Sequence, residues 1–496
     1  MSGPTPGGRP PEVLLEGRPV AIETIEAIAR GGAPVRLSEA ARERNLAARE
    51  QIRALLAAGR PLYGASTGVG ALREREVEPR ERERLQWALL RSHAVAAGPP
   101  LAPERVRAAM AVRANQLGAG GAGVAPELLD ALVQALNERL TPVVRSLGSL
   151  GTGDLPELAQ LVLALLGEGE VWRAGRPAPA PAPPAPPRLE LRDALGFMSS
   201  NAVTLGRAAL LCADAQTALD RWTAVAALSF EAADCDPVVF DERLAQARGS
   251  AAQAQIARRM RELLDGAARS EGAHPVQYPY PFRVQPQVDA AVAGALETLR
   301  ALVERETAAR AENALIVDGE ALANGNFHAA ELAGAIDALR GALAQSASLI
   351  CARVSALLDP RTSGLSPFLA ASPGVSSGAM MLEYTAGAAA AEVRSLALPC
   401  AVQSTTVSLG VESHASLAAT AAARAEQALE ALAVLIATEL VVAVRALRIA
   451  GREARGAGSR PLYERAAAAL PASLEDDRPL GGDVRAAIEL LEGSWS

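Results

Sequence analysis

The sequence predicts an all-α protein organised around a long central helical bundle, on three observations. Half of its 496 residues are hydrophobic but only 3% are aromatic. The apolar content is therefore mainly Ala, Leu and Val, which suits long, closely packed helices better than β-sandwiches. Leu332, Ile336, Leu339, Leu343, Ile350, Val354 and Leu357 recur at spacings of three, four and seven, the near-heptad period of a bundle seam. No segment carries a convincing two-residue period, and no internal repeat is visible.

Taken in order, residues 1–12 are rich in Gly and Pro and read as a frayed N-terminus. Residues 13–200 read as a helical N-terminal part, interrupted by Gly-rich stretches at 64–70, 118–123 and 148–153. Within it, RPAPAPAPPAPP at 176–187 is too dense in Pro for the interior of a helix or sheet and reads as a polyproline-like surface loop. Residues 201–451 read as the bundle. Asp359-Pro360 ends the seam helix, the Ala-rich stretch 379–395 is helical, and a further long helix runs from about 412 to 450, stopping at Gly451. Glu430, Glu439 and Arg445 interrupt the apolar run 429–449, which makes it a core helix and not a membrane span. Residues 452–496 read as a C-terminal tail.

Composition also removes function classes. With 49 basic and 56 acidic residues the net charge is -7, which argues against a nucleic-acid partner. Every basic residue is Arg and none is Lys. A pyridoxal-phosphate Schiff base, a Lys-dependent aldolase and a Walker A loop all need Lys, so all three are excluded. Cys212, Cys235, Cys351 and Cys400 are widely spaced and read as buried thiols. His93, His274, His328 and His414 lack metal-ligand spacing, so no metal is expected. The opening MSGPTPGGRPPEV carries no charged-then-apolar leader pattern, and the expectation is a cytoplasmic protein.

Seven segments hold polar groups that a plain bundle does not need. Tyr63 opens Tyr63-Gly64-Ala65-Ser66-Thr67-Gly68-Val69-Gly70, a path tight enough to run beside a ligand, though a Tyr buried next to a turn reads the same. Arg91-Ser92-His93 offers an imidazole that could equally be structural. Arg113-Ala114-Asn115 leads into the second Gly-rich stretch. Gly148-Ser149-Leu150-Gly151-Thr152-Gly153-Asp154-Leu155 suits an anion nest or a capped helix start. Gln277-Tyr278-Pro279-Tyr280-Pro281-Phe282-Arg283-Val284-Gln285-Pro286-Gln287 holds two of the five Tyr. It reads as a substrate loop, with Arg for a carboxylate and Tyr for proton transfer. Asn313, Asp318-Gly319-Glu320 and Gly325-Asn326-Phe327-His328 precede the seam helix. Glu412-Ser413-His414 falls at a predicted helix start, where a carboxylate suits the dipole.

Together these segments resemble the histidine/phenylalanine ammonia-lyase family, in uninterrupted order from about residue 13 to 450. The family's Tyr-Gly-x-x-Thr-Gly-x-Gly is similar to residues 63–70 and its Ser-His to 92–93. Its Gln-Asp-Pro-Tyr-Ser-Leu-Arg-x-x-Pro-Gln is similar to 277–287, with Tyr278 for the Asp. Its Asp-Gly-Glu…Gly-Asn-Phe-His is similar to 318–328, and Ser363-Gly364-Leu365, Pro373-Gly374 and Glu412-x-His414 continue the series. The resemblance implies a bundle of the ammonia-lyase/fumarase-like type, and a homotetramer whose sites each draw on three subunits. It implies a small amino-acid-like substrate. Tyr63 would remove the β-proton and Tyr280 would assist at the amine. Arg283, with Asn313, would grip the carboxylate. His93 and Glu412 would line a pocket suited to a polar ring, with Gln277 and Phe327 among the binding residues.

The chain departs from that pattern where the family makes its electrophile. The family's Ala-Ser-Gly cyclises and loses water to give a methylidene-imidazolone, within Gly-Ser-Val-Gly-Ala-Ser-Gly-Asp-Leu. Here the stretch is one residue shorter and the nearest tripeptide is Gly151-Thr152-Gly153. Dehydrated Ser leaves an unsubstituted CH2 for an amine to attack, whereas dehydrated Thr would carry a methyl there. The family's Asn in Leu-Asn-Gly-Thr, close to the electrophile, corresponds to Ser199. A branch resembling ergothioneine lyase acts without the group; it leans on a Lys, which this chain lacks. The leading expectation is thus a lyase that uses Tyr63 for elimination without a methylidene-imidazolone or pyridoxal phosphate. Two alternatives stay open: a true histidine or tyrosine ammonia-lyase with a Thr-derived group, and a catalytically silent paralogue that binds a ligand or partner.

Overall fold

The computed structural model describes residues 10–182, 188–267, 276–474 and 477–493. Most of the expected frayed N-terminus, the end of the Pro-rich run and His274 lie outside them. The fold is a helical bundle of the predicted class. Its longest helices are Ala202–Ala232, Gln285–Glu306, Ala330–Leu358 and Ala418–Ile449. Leu358 ends the seam helix as Asp359-Pro360 requires, and Asp359 then caps the short helix Pro360–Ser363 by accepting from the Arg361 N–H. The Ala-rich helix is Met380–Leu396. Ala330–Leu358 is apolar enough to pass for a membrane span, with mean hydropathy 1.4 over 18 residues, yet 56% of that window is buried within the protein.

Four expectations need correction. Short strands do occur, among the described residues as four two-stranded sheets: Val13–Leu15 with Val35–Leu37, Ala97–Pro100 with Arg145–Leu147, Glu170–Arg173 with Arg176–Pro179, and Leu315–Val317 with Glu320–Leu322. Strands of three or four residues are too short to display alternation. The Pro-rich run therefore begins as a strand. Pro177 and Pro179 alternate with Arg176, Ala178 and Ala180, and Ala180 donates to Gly169 O at 2.9 Å. In a two-stranded ribbon the prolines can take the outward positions, where no N–H is needed. Finally, the last long helix starts at Ala418, not near 412; Glu412 instead bridges to Val407 in a compact loop. Cys351 is only half-buried, while Cys212, Cys235 and Cys400 are buried.

Contacts group the chain into two units, discontinuous in sequence, where the sequence suggested consecutive segments. The first comprises 1–213, 299–336 and 399–423; the second comprises 214–298, 337–398 and 424–496. In the first unit, every residue of Pro103–Gly118 from Val106 onward is buried. Its Arg107 donates to Ile28 and Ala29 carbonyls and to Leu136 O, at 3.0–3.2 Å, placing a cation at two helix C-termini. Gly206 crosses this helix so closely that a Cβ there would lie 2.4 Å from Ala109 N. In the second unit, Arg353 forks onto Glu439 at 2.6 and 3.0 Å, with both side chains essentially inaccessible. Asp289 accepts from Trp222 Nε1 at 3.0 Å and from Ser346 Oγ at 2.6 Å, and burial raises its carboxyl above the usual range. The stretch expected as a tail forms helices Ser459–Ala469 and Gly481–Glu492, and Glu231 accepts from Arg455 N at 2.7 Å and from Gly456 N.

Candidate active site

In the first unit, the Tyr63 loop is wound tightly. Leu62 O accepts from the N–H groups of Ala65, Ser66 and Thr67, and Ser66 Oγ accepts from Leu62 N at 2.8 Å. Tyr63 is half-buried. Its Oη accepts from Gly70 N at 2.7 Å, which fixes the ring and leaves the phenolic oxygen free to exchange a proton. Gln86 ties the loop to the segment 193–198: its Nε2 donates to Gly64 O and its Oε1 accepts from Ala194 N, both at 3.1 Å.

Residues 151–153 sit among side chains from three other segments. Thr152 Oγ1 donates to Glu412 Oε2 at 3.1 Å, Gly153 N donates to Asn201 Oδ1 at 3.1 Å, and Asn201 Nδ2 donates to Phe327 O at 2.7 Å. Gly151 O accepts twice, from Ser416 Oγ at 2.9 Å and from Ala329 N at 3.0 Å. The backbone at Gly151 has φ +79°, and a Cβ there would lie 2.0 Å from Ser416 Oγ. His414 follows two residues after Glu412, and its Nδ1 meets His328 Nε2 at 3.0 Å. The structure thus brings Thr152, Glu412 and Phe327 together, with Asn201 and Ser416 as residues that sequence reasoning missed. Asn201 lies two residues after Ser199 in the sequence but, like Ser416, carried no signal of its own.

Ser199 is buried and its Oγ accepts from Asn313 N at 3.1 Å, so these two residues also meet. Asn313 Oδ1 in turn accepts from Asn324 N at 3.2 Å. His93 ends helix Arg82–His93, and its Nδ1 donates to Leu89 O at 2.8 Å, which leaves Nε2 available. Arg113, which opens one of the seven polar segments, is fully buried; it bonds Phe197 O at 2.8 Å and Glu312 Oε1 at 3.1 Å. Gln277, Tyr280 and Arg283 belong to the second unit. There Arg283 donates to Gln277 Oε1 and lies 5.3 Å from the centroid of the exposed Tyr280 ring. Gln277 and Arg283, with Tyr278, Asp236, Arg248 and Gln287, line a cavity of about 870 Å³. Among the described residues no group of three or more His, Cys, Asp or Glu could hold a metal ion.

Two acids underlie the 149–153 loop. Asp154 accepts from Thr204 N at 2.7 Å and Thr204 Oγ1 at 2.9 Å, so it anchors the next long helix instead of capping its own. Glu157 Oε1 accepts from Ser149 N at 2.7 Å. Burial, reinforced by Asp154, pushes Glu157 up to about 7. Between its ordinary 4.5 and about 7, the folded chain holds a proton that the unfolded chain has lost. Stability should therefore fall as pH rises through that window, by up to about 3 kcal/mol. Urea unfolding at pH 5 and pH 8 should record this loss in the wild type and a much smaller one in Glu157→Gln.

A family model described as aromatic amino acid lyase matches residues 20–468. The histidine ammonia-lyase of Geobacillus thermodenitrificans (strain NG80-2) is 35% identical over 486 residues, 96% of each chain. That of Streptomyces coelicolor is 36% identical over 481 residues, 94% of each. Among solved structures, the ergothioneine-degrading ergothionase of Treponema denticola, in complex with desmethyl-ergothioneine sulfonic acid, superposes with a TM-score of 0.93. It has 25% identity, over 97% of this chain and 98% of that one. The tyrosine aminomutase of Streptomyces globisporus gives 0.91 at 27%, over 97% and 96%.

Proposed function

Because the chain belongs to the aromatic amino acid lyase family and is a carbon–nitrogen lyase of the ammonia-lyase type, we propose that it eliminates an amine from a histidine-like α-amino carboxylate, with Tyr63 as base and without a methylidene-imidazolone. The observation that carries this reading is the bond from Thr152 Oγ1 to Glu412 Oε2. It sets a carboxylate able to accept from an imidazole N–H beside the position where the family makes its electrophile. In the elimination, Tyr63 Oη, acting as the phenolate, accepts the β-proton and becomes the phenol, the C–H electrons become the C=C bond, and the amine leaves with the C–N pair. Arg283 grips the carboxylate and Tyr280 assists the leaving amine. His93, Glu412 and Phe327 line the ring pocket, with Ser199, Asn313 and Gln277 completing the site. The working form is a cytoplasmic homotetramer whose sites each draw on three subunits.

The residues present do not fit the family's prosthetic group. Gly151 has no room for the family's Ala, and Thr152 stands where Ser is needed. Elimination then depends on the substrate bringing a good leaving group, such as a quaternary ammonium. The second reading, a histidine ammonia-lyase with a Thr-derived group, is favoured by the names of the curated relatives. The silent-paralogue alternative loses ground to the same relatives.

The test is turnover of L-histidine and of its N,N,N-trimethyl betaine, followed by the absorbance of the unsaturated product and by amine release. Betaine turnover well above histidine turnover supports the first reading; efficient histidine turnover supports the second. Arg283→Lys should raise KM for the accepted substrate about 10- to 100-fold. It loses a bidentate charge-assisted bond worth about 1.5–3 kcal/mol.

A further inference from the structure

Arg192 is 1% exposed, and its Nε donates to the backbone O of Tyr63 at 3.2 Å. Its Nη1 and Nη2 are buried with no hydrogen-bond partner among the described residues. Burial pushes this guanidinium down to about 10, still cationic at neutral pH; Glu312 and Tyr63 act to keep the charge, and Arg113 acts against it. Arg113 and Glu312 are themselves fully buried and bonded to each other, and Glu312 Oε2 also lacks a partner among the described residues. The cluster thus counts two cations against one anion. The adjoining Arg49–Asp193 pair is balanced within itself, at 2.6 Å. Among the described residues, one positive charge is left over beneath the Tyr63 loop. An uncompensated buried cation is costly, and Arg cannot shed its proton to escape that cost.

Resting on the reading of Tyr63 as base, we infer that Arg192 is a positioning residue for that base. It holds the Tyr63 backbone and supplies the positive charge that balances the Tyr63 oxygen as a phenolate, the form able to take the substrate proton. In a chain with no Lys, this buried guanidinium does what a nearby ammonium could do elsewhere. The contact with Tyr63 uses a single N–H, not a bidentate fork, so an ammonium at this position can stand in for the charge.

The test uses the full-length protein with L-histidine and its trimethyl betaine as probes. Arg192→Met removes the buried charge without adding a polar group. It should lower kcat about 10²- to 10³-fold, with KM changed only a few-fold, while the melting temperature holds or rises. Arg192→Lys should recover about tenfold or more of that kcat. Adding Arg192→Met to Tyr63→Phe should cost nothing further, because the charge then has no base to serve. Gln86→Leu, which cuts the uncharged tie to the same loop, should not give this pattern. If Arg192→Met does not fold, Arg192→Gln is read in its place. A loss that falls on KM, no recovery by Lys, or losses that add to those of Tyr63→Phe would each overturn the inference. Wild type inactive on both probes, or Tyr63→Phe fully active, would instead overturn the proposed function and the inference with it.

Discussion

Tyr63→Phe should lower turnover of the accepted substrate by about 10²–10⁴-fold, the usual worth of a general base, while the protein stays folded. The substitution removes one hydroxyl from a half-buried ring. Gly70 N loses the acceptor it meets at 2.7 Å, which costs about 0.5–1.5 kcal/mol, small beside the kinetic effect. Thr152→Ala is the natural control. Its hydroxyl bonds Glu412, so the substitution should loosen that contact without removing a reacting atom. A kcat for Tyr63→Phe within a few-fold of wild type would mean that another group takes the proton.

The largest stability effect is expected at Arg353 and Glu439. Their side chains are 1% and 0% exposed, and Arg353 Nη1 already lacks a hydrogen-bond partner among the described residues. Glu439→Leu leaves Arg353 buried without the carboxylate that bonds it, facing Asp289 alone among the groups that act to keep its charge, and should cost about 3–5 kcal/mol. Arg353→Met with Glu439→Leu removes both charges and should cost far less, or stabilise. Urea unfolding of the two singles and the double measures the difference. Additive losses would show that the two side chains do not act as a pair.

Much of the fold is legible in the sequence because it rests on long-range periodicity. Seven apolar positions from Leu332 to Leu357 mark the seam helix, and Asp359-Pro360 marks its end. The short strands are not legible, since three residues cannot show an alternation. A helix start is misplaced where a polar residue bonds elsewhere. Glu412 has the look of a cap but bonds Thr152 in a loop before Ala418. The site is legible as motifs, because Gly and aromatic residues at fixed offsets stand out against an Ala-Leu background. What holds those motifs is not. Arg192, Asn201 and Ser416 act through contacts far apart in sequence, and Glu157 reads from sequence as an ordinary first-turn acid. Its unusual protonation comes from burial beside Asp154, which no local pattern announces.

The most direct test of the central claim is the intact mass of the purified protein. If residues 151–153 remain a linear peptide, the mass equals that of the sequence after ordinary N-terminal processing, and the near-ultraviolet absorbance of a conjugated imidazolone is missing. Thr152→Ala then retains most of the turnover that Tyr63→Phe abolishes. A mass lower by two water molecules, together with an inactive Thr152→Ala, would contradict this mechanism and return the chain to the family's ordinary prosthetic-group chemistry.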